Sequence, residues 1–595
     1  MSHFRSNLRD IEFNLFEVHR IQDYMEEFGD IDRETALDIL REVDRLAREE
    51  WAASFVEADR TELKLVDGEV KLPESMNQSL AALREGGWDR MGIDEELGGL
   101  PMSPTLFWSA QALLLGANPT AMLYGGGPLF AKVLFEEGTD EQQEIAKLMV
   151  EKGWGGTMVL TEPDAGSDVG AGVTKATPVE GDTYHIEGVK RFITAGEHDA
   201  TENIIHFVLA RVPGAEPGTK GLSMFLVPKF LFDSDGDLGE RNGVVATNIE
   251  KKMGLKGSTT CELTFGLDEP AVGYLVGGVH DGIRQMFRVI EHARMTIGTK
   301  SAATLSTGYL NALDYAKERK QGADLVNATD KTAPKTEIIN HPDVRRMLMI
   351  QKTYAEGLRA LWSYAAYCQD QAMLSSDPED WEKRSDFLLP LVKGYSSEKA
   401  YELLSLSLQV LGGSGYTQDY PIEQYIRDAK IDTVYEGTTG IQALDLFFRK
   451  IARDQGVTVA KLSEDITQFV KGGVDGDPIA AEREMLARLL DDTQAHLGVM
   501  VNNAMLAMAG EPTEIYKTGL HATALLESMS ETVIAWQLLR QAEVAAPGAD
   551  DDPFLLGKVE AARYFVRDVA PKIAARRHAA EVEDGSLMDL PVEAF

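Results

Sequence analysis

The feature that most constrains the fold of this chain is a change in the pattern of apolar and turn-forming residues near residue 154. Between about residues 154 and 273, short apolar runs alternate with turns rich in Gly, Pro and Asp, whereas the flanking segments repeat apolar residues at helical spacing. Strands never alternate with single helices along the sequence, so a doubly wound parallel sheet is disfavoured. The pattern predicts an α+β fold in which a β-domain lies between helical segments.

Helical periodicity and glycine-rich segments divide the 595 residues further into domains. The most apolar window, Leu106 to Leu123, is interrupted by Gln111, Asn118 and Pro119, so it predicts a buried helix rather than a membrane span. The segment from Gln321 to His341 is polar and predicts an exposed loop. We expect four domains: an N-terminal helical domain (1–153), a middle β-domain (154–273), a C-terminal helical bundle (274–455) and an additional helical domain (456–595) that opens with a linker at 471–477.

Charge and composition exclude several classes of function. The chain has 59 Lys and Arg against 96 Asp and Glu, a net charge of −37, which disfavours sequence-independent binding to nucleic acid or anionic lipid. The two cysteines, Cys261 and Cys368, form no CxxC pair, and the 11 histidines show no HExxH or HxH spacing, so no metal site is expected. The first residues contain no apolar signal region, which favours a cytoplasmic protein.

Two motifs in the β-rich segment suggest a ligand site. Met158, Val159 and Leu160 lead into the turn sequence TEPDAGSD at 161–168, and KRFITAG follows at 190–196. A strand that ends in such a turn exposes backbone N–H groups to a heterocycle edge or a phosphate, although an ordinary hairpin turn is an equal reading of the first motif alone. Phe192 and Thr194 are two residues apart and would face the same side of a strand.

Taken together, these motifs resemble the flavin-binding middle domain of acyl-CoA dehydrogenases. Further blocks agree in family order: AKERK at 316–320, QVLGGSGY at 409–416, RDAK at 427–430 and YEGTT at 435–439. The 321–341 insertion and the tail beyond 455 resemble the enlarged subgroup that includes methylmercaptopropionyl-CoA dehydrogenases and long-tailed bacterial fatty-acyl-CoA dehydrogenases.

The resemblance implies FAD as the cofactor. In the β-domain, the matching positions would be Met158, Leu160 and Thr161 at the flavin pyrimidine edge, Gly166 and Ser167 near the pyrophosphate, and Phe192 and Thr194 against the isoalloxazine. In the C-terminal bundle, Arg319 would bind an FAD phosphate across a subunit interface, Gln409 and Gly413 would contact the adenosine half, and Thr438 would be a further cofactor contact. The chain departs from the family pattern in four places. Phe192 replaces the usual tryptophan, and no aromatic follows Arg319 in Lys320 to Ala323. Gly440 stands where many members have glutamine, and the family motif SDTR reads STTC at 258–261.

The resemblance also implies that Glu436 is the general base that removes the α-proton of an acyl-CoA. From the residues alone, Glu436 follows a β-like segment, Ile431 to Val434, and a helix-start glutamate near the helix dipole is the commoner explanation. The substrate-binding positions implied are Ser167, Glu291, Arg294 and Tyr435. Glu291 and Arg294 also fit an ordinary i, i+3 helix pair. Some members carry the base directly before this arginine, where the chain has Ala293.

We therefore expect an FAD-dependent acyl-CoA dehydrogenase that forms a trans-2-enoyl-CoA and passes electrons to electron-transfer flavoprotein. An acyl-CoA oxidase of the same fold is an alternative, because sequence motifs do not show whether oxygen can reach the reduced flavin. A nitroalkane oxidase would have aspartate at position 436. A non-catalytic scaffold that uses the tail for docking is a further alternative. Since shorter members are commonly tetramers, the tail predicts a homodimer in which it occupies the place of the second dimer.

Overall fold

The computed structural model of the chain describes residues 2–474 and 476–595. These residues form two compact units: one runs up to Ser6 and continues over Tyr24–Ala293, and the other combines Asn7–Asp23 with Arg294–Phe595. None of the helices within the described residues is both long and apolar enough to cross a membrane.

Short helices precede the sheet in the sequence. Helix α5 is buried along nearly its whole length, as predicted for this apolar window, and the Ser103 side chain caps its first turn. The helices before the sheet are α1 (Leu8–Glu12), which belongs to the second unit, α2 (Arg33–Leu46), α3 (Phe55–Arg60), α4 (Glu74–Glu85), α5 (Pro104–Ala117), α6 (Pro119–Met122), α7 (Gly127–Glu137) and α8 (Asp140–Glu151).

An eight-stranded sheet forms the centre of the first unit, as the β-rich texture predicts. Its strands run in the order β10, β11, β5, β12, β7, β6, β3, and β4 pairs with β5 and β6. The strands of the chain are β1 (Leu65–Val66), β2 (Glu69–Val70), β3 (Gly155–Val159), β4 (Lys175–Glu180), β5 (Thr183–Ile193), β6 (Ile204–Arg211), β7 (Leu222–Pro228), β8 (Phe230–Phe232), β9 (Leu238–Arg241), β10 (Val244–Ile249), β11 (Cys261–Phe265) and β12 (Ala271–Leu275).

The two faces of this sheet bury two separate cores, because successive side chains of a strand point to opposite faces. On one face Ile205, Phe207 and Leu209 pack with residues of α7 and α8. On the other face Val208 and Ala210 pack with apolar residues of β5, β10 and β11. A strand buried on both sides is held rigidly, so the chain segments that leave β3 and β5 start from fixed positions.

The second unit is helical, as predicted. Its α12 follows a π-helical turn, Leu391–Tyr395, that begins directly after Pro390. The helices are α9 (Gly282–Glu318), which begins in the first unit, α10 (Pro342–Leu374), α11 (Glu379–Pro390), α12 (Ser396–Leu411), α13 (Ile422–Lys430), α14 (Thr439–Leu444), α15 (Val457–Lys471), α16 (Ala480–Met508), α17 (Glu514–Ala545), α18 (Pro553–Tyr564) and α19 (Lys572–Val582).

Helix α17 of the C-terminal tail lies in the middle of this second unit. It packs against α10, α14, α16, α18 and the π-helical turn, and it is buried on all sides from Ser528 to Leu539. A helix that is buried all round belongs to a core rather than to a surface. The tail therefore supplies part of the core that surrounds α10 and α14.

Two local predictions need correction. Ile431–Thr433 forms a 3₁₀ turn rather than a β-like segment, because α13 continues directly into it. The sequence of the tail shows three amphipathic patterns, near 478–508, 515–545 and 553–580, whereas its described residues form five α-helices, α15 to α19. Helix α15 lies before these patterns, and the π-helical turn Phe565–Val569 divides the third pattern into α18 and α19. The insertion from 321 to 341 is largely exposed, as expected, and includes the short 3₁₀ turns Leu325–Asn327 and Ile338–Asn340. Asp475, inside the predicted linker, lies outside the described residues.

Candidate active site

The TEPDAGSD turn starts where the edge strand β3 ends. Strand β3 pairs in parallel with β6 through its Gly155 to Val159 ladder, and Gly155 N donates to Asn203 O at 3.0 Å. Because bonded residues alternate along a parallel strand, the backbone groups of Met158 point away from β6, towards the outer edge of the sheet. An edge strand presents a row of N–H and C=O groups that a ligand can use.

A buried ion pair fixes the start of the turn. The Lys190 ammonium donates to Glu162 Oε1 at 2.9 Å and to the carbonyl oxygen of Leu160 at 2.8 Å. The other contacts of the Glu162 carboxylate are the backbone N–H groups of Val173 at 2.7 Å and Thr174 at 3.1 Å. Sequence reasoning missed this pair, because its members are 28 residues apart and neither belongs to a charge pattern.

Burial and charge oppose each other within this pair. Burial acts to raise the pKa of Glu162, but the Lys190 charge and the hydrogen bonds outweigh it and leave the pKa of the carboxyl lowered. Burial lowers the pKa of Lys190 to about 8 although Glu162 acts in the opposite direction. The pair is therefore ionised at neutral pH and holds the turn against the end of β5.

The spacing of Phe192 and Thr194 predicts that they face the same side of a strand, but the structure does not place them on a regular strand. The reason is that Phe192 has a left-handed φ of 62° and that β5 ends at Ile193. The Phe192 ring is 54% exposed and lies against the Arg191 guanidinium, 4.8 Å from the ring centroid. Arg191 N donates to Thr161 O at 2.9 Å, so the two predicted motifs do meet in space. Gly166 and Ser167 are exposed at the tip of the turn.

In the second unit, Glu436 lies on a strained loop between α13 and α14. The backbone φ angles of Glu436 and Gly437 are 57° and 86°, both in the left-handed region. A non-glycine residue is held there only when its surroundings over-determine the conformation, and such strain clusters at functional sites. Gln442 Nε2 donates to Glu436 O at 2.8 Å, and the Thr438 side chain caps α14 by accepting from Ile441 N at 3.4 Å.

The Glu436 carboxyl has an unusual protonation equilibrium. Burial raises its pKa to about 7, although the cations of Lys393 and Arg294 act to lower it. A carboxyl with a pKa near the working pH is matched to proton abstraction.

Arg294, one of the implied substrate-binding positions, lies next to an acidic partner. Its guanidinium is buried and bonds to Asp445 Oδ2 at 2.7 Å. Glu291 lies part-buried on α9 in the first unit.

Tyr435 belongs to a buried network next to the loop. Its hydroxyl donates to Asp432 Oδ1 at 2.9 Å, and Lys300 Nζ bonds to the same oxygen at 2.6 Å. Burial raises the pKa of Tyr435 well above its ordinary value, so this phenol stays protonated and acts as a donor. The network fixes the residue that precedes Glu436.

The positions predicted for the phosphate and adenosine half of FAD are exposed. Arg319 directly follows the last residue of α9, Gln409 lies near the end of α12, and Gly413 lies in the following 3₁₀ turn. Tyr315 and Tyr420 make an edge contact at 5.6 Å, which brings the end of α9 close to the segment after this turn. The single chain therefore leaves these side chains open to solvent.

Comparisons with known proteins match the whole length of this arrangement. Sequence models of the acyl-CoA dehydrogenase middle domain and C-terminal domain match residues 157–266 and 280–449, and a model described as acetyl-CoA dehydrogenase C-terminal like matches residues 462–591. The broad-specificity linear acyl-CoA dehydrogenase FadE5 of Mycobacterium tuberculosis is 52% identical over an alignment of 613 residues that covers 100% of both proteins. The chain belongs to the acyl-CoA dehydrogenase family.

Other members of this acyl-CoA dehydrogenase family also match over the full chain. The 3-methylmercaptopropionyl-CoA dehydrogenase of Ruegeria pomeroyi is 33% identical over 96% of this chain and 97% of that protein. The solved structure of an acyl-CoA dehydrogenase complexed with FAD from Bacillus anthracis has a TM-score of 0.74 at 18% identity, covering 95% of this chain and 91% of that one. This likeness shows the fold, including the additional helices of the tail.

FAD is the cofactor of acyl-CoA dehydrogenases, and residues of this dehydrogenase fit it. The outward backbone groups of Met158 provide the donor and acceptor pattern that a flavin edge requires. Gly166 leaves open space where a side chain would stand, with no atom within 4 Å of a Cβ built there. The exposed ring of Phe192 offers an aromatic surface beside this edge.

Proposed function

We propose that this dehydrogenase converts acyl-CoA thioesters to trans-2-enoyl-CoA with Glu436 as the general base. The observation that carries the proposal is the combination of a strained backbone and a pKa raised to about 7 at one carboxyl. An α-proton of a thioester is weakly acidic, so its removal needs a basic carboxylate in a water-poor site. Positioned proton transfer of this kind contributes about 10²- to 10⁴-fold.

The residues of the chain have separate roles in this proposal. Glu436 takes the α-proton onto a carboxylate oxygen, while Tyr435 and Asp432 hold the preceding backbone. Met158, Leu160, Thr161, Gly166, Ser167, Phe192 and Thr194 are the proposed FAD contacts in the first unit, and Arg319, Gln409, Gly413 and Thr438 are those in the second. The chemistry that FAD supplies when bound is acceptance of the β-hydride at N5.

We further propose linear acyl-CoAs as substrates and electron-transfer flavoprotein as the electron acceptor. The name of the FadE5 relative, a broad-specificity linear acyl-CoA dehydrogenase, supports the first part. The second part follows from the family resemblance. Ser167, Glu291, Arg294 and Tyr435 stay as proposed substrate contacts. Arg294 pairs with Asp445, and its charge also acts to lower the pKa of Glu436.

The direct test is anaerobic mixing of the purified yellow protein with straight-chain, branched and methylthio-acyl-CoAs. We expect bleaching of the flavin absorbance with the straight-chain thioesters. Absence of bleaching with every thioester would contradict the proposal. Admitting air after bleaching separates the alternatives, because a dehydrogenase stays reduced until an electron acceptor is added, whereas an acyl-CoA oxidase reoxidises within its turnover time.

A further inference from the structure

Lys393 is a buried cation beside the Glu436 loop to which neither the family signature nor the sequence motifs point. It lies in the π-helical turn Leu391–Tyr395 and has no exposed surface. Its ammonium donates to the carbonyl oxygen of Gly437, which is the residue after the proposed base. Burial of an ammonium costs free energy that an apolar side chain of the same size would not cost. We therefore expect the charge of Lys393 to have a function.

Two side-chain donors hold the two successive carbonyls of the strained loop. Gln442 binds the carbonyl of Glu436 at 2.8 Å, and Lys393 binds that of Gly437. A left-handed conformation is unfavourable for a residue with a side chain, so the surroundings of Glu436 must offset that cost. These hydrogen bonds to consecutive peptides supply that restraint.

The charge of Lys393 also acts on Glu436. The charged groups that face Lys393 are Glu436 on the loop, Asp432 before it, Glu398 on α12 and Arg294 on α9. Burial lowers the pKa of Lys393 to about 8, and the three carboxylates act to raise it. Arg294 is engaged by Asp445, and Asp432 by Lys300, whereas Glu436 has no ion-pair partner among the residues that the structure describes.

The π-helical turn that carries Lys393 is itself held on its far side by the tail. Tyr395 donates to Glu531 Oε1 of α17 at 2.9 Å, and Arg576 of α19 binds both oxygens of Glu531 at 2.7 and 2.9 Å. A Cβ on Gly394 would lie 3.0 Å from Leu526 of α17 and from Gln442 of α14. The position of Lys393 is therefore fixed from both sides.

We propose that Lys393 is the positioning residue of the base: its ammonium anchors the Glu436–Gly437 peptides and keeps the Glu436 side chain ionised. This inference rests on the proposed function of Glu436. Lys393 does not touch the reacting atoms in this account. It acts through Glu436, and a neutral hydrogen-bond donor at position 393 would provide the anchor without the electrostatic effect.

The test is the pH profile of anaerobic flavin reduction in Lys393→Met and Lys393→Gln, compared with the wild type. Loss of the cation raises the pKa of Glu436, so the midpoint of the profile moves upward by roughly one pH unit in both variants. In Lys393→Met, which also loses the donor to Gly437 O, the loosened loop lowers the plateau rate at high pH by roughly 10- to 100-fold, whereas Lys393→Gln, which keeps a donor, retains more of the plateau rate. If Lys393→Met does not retain FAD, Lys393→Gln, which keeps a polar end, gives the same midpoint.

Lys399→Met is the matched control. Lys399 lies six residues further along and pairs with Glu402 at 2.9 Å, away from the loop carbonyls. We expect its midpoint to equal that of the wild type. A loss of thermal stability in the Lys393 variants with an unchanged midpoint would overturn the inference, since it would show a structural role only. If the wild type itself is not bleached by any acyl-CoA, the proposed function fails first and this inference fails with it.

Discussion

At the scale of single residues, the proposed role of Glu436 as the base predicts that activity follows the protonation state of its carboxyl. Its pKa is raised to about 7 by burial, and the base is the ionised form. We therefore expect the rate of flavin reduction in the wild type to rise with pH through about 7 and then level off. Well below the midpoint, the rate should fall roughly tenfold per pH unit. Stopped-flow measurements between about pH 5 and 9 with saturating acyl-CoA test this, and a flat profile would contradict it.

Gly437 gives a second prediction at this scale. Its φ of 86° disfavours any side chain, and a Cβ would lie 2.9 Å from Gln442 Nε2. Gly437→Ala should therefore displace the loop, with a cost of roughly 1–2 kcal/mol and a kcat reduced by at least tenfold. Gly440→Ala is the control, because a Cβ there meets no atom within 4 Å and the residue lies in α14. Equal kcat values for the two variants would show that the loop tolerates the change.

At the scale of elements, the turn after β3 depends on the Glu162–Lys190 ion pair. Lys190→Met leaves the Glu162 carboxylate buried without its cation, so we expect a loss of about 3–5 kcal/mol in the free energy of unfolding. Adding Glu162→Gln should restore part of it, because the uncompensated charge is gone. Denaturant unfolding of both single variants and the double variant measures the coupling between the two residues. Additive effects would show that the pair does not hold the turn.

Sequence reasoning succeeds for elements whose signal is local. The apolar window of α5, the β-rich segment and the amphipathic patterns of the tail beyond residue 478 are evident from periodicity over adjacent residues. The signature motifs likewise locate Glu436 and the turn after β3. The four domain boundaries and the roles of all the site residues, Glu436 included, stay predictions.

The sequence could not reveal features that depend on contacts between distant segments. Lys190 bonds to Glu162, which is 28 residues away in the sequence, and Lys393 bonds to the carbonyl of Gly437, which is 44 residues away. The left-handed conformation of Phe192 breaks the alternation that its spacing predicts. The burial of Arg294 also depends on Asp445, which lies 151 residues away.

At the scale of the whole molecule, the N-terminal segment and the tail share a buried charge cluster. Lys558 of α18 bonds to Asp10 at 2.6 Å and to Glu356 at 2.9 Å, and Arg359 also pairs with Asp10. All four side chains are buried. Removal of the tail would leave Asp10 and Glu356 without the Lys558 cation, at a cost of several kcal/mol.

We therefore predict that a chain ending near residue 455 aggregates, because the apolar surfaces of α10 and α14 that face α17 become exposed. For the full chain, we propose a homodimer in which the tail takes the place of a second dimer. Light scattering should give twice the 65.4 kDa of one chain. A stable tetramer of the full chain, or a truncated chain that stays monodisperse, would contradict this account.

The most direct test of the central claim is single-turnover flavin reduction in Glu436→Gln. The amide keeps the size of the side chain and removes the proton acceptor, so FAD and acyl-CoA should still bind, while the rate of bleaching falls by about 10²- to 10⁴-fold or more. The bound flavin absorbance and a spectral shift on acyl-CoA binding show that the site is intact. Reduction at a rate close to that of the wild type would show that another group, with Glu291 the first candidate, removes the proton.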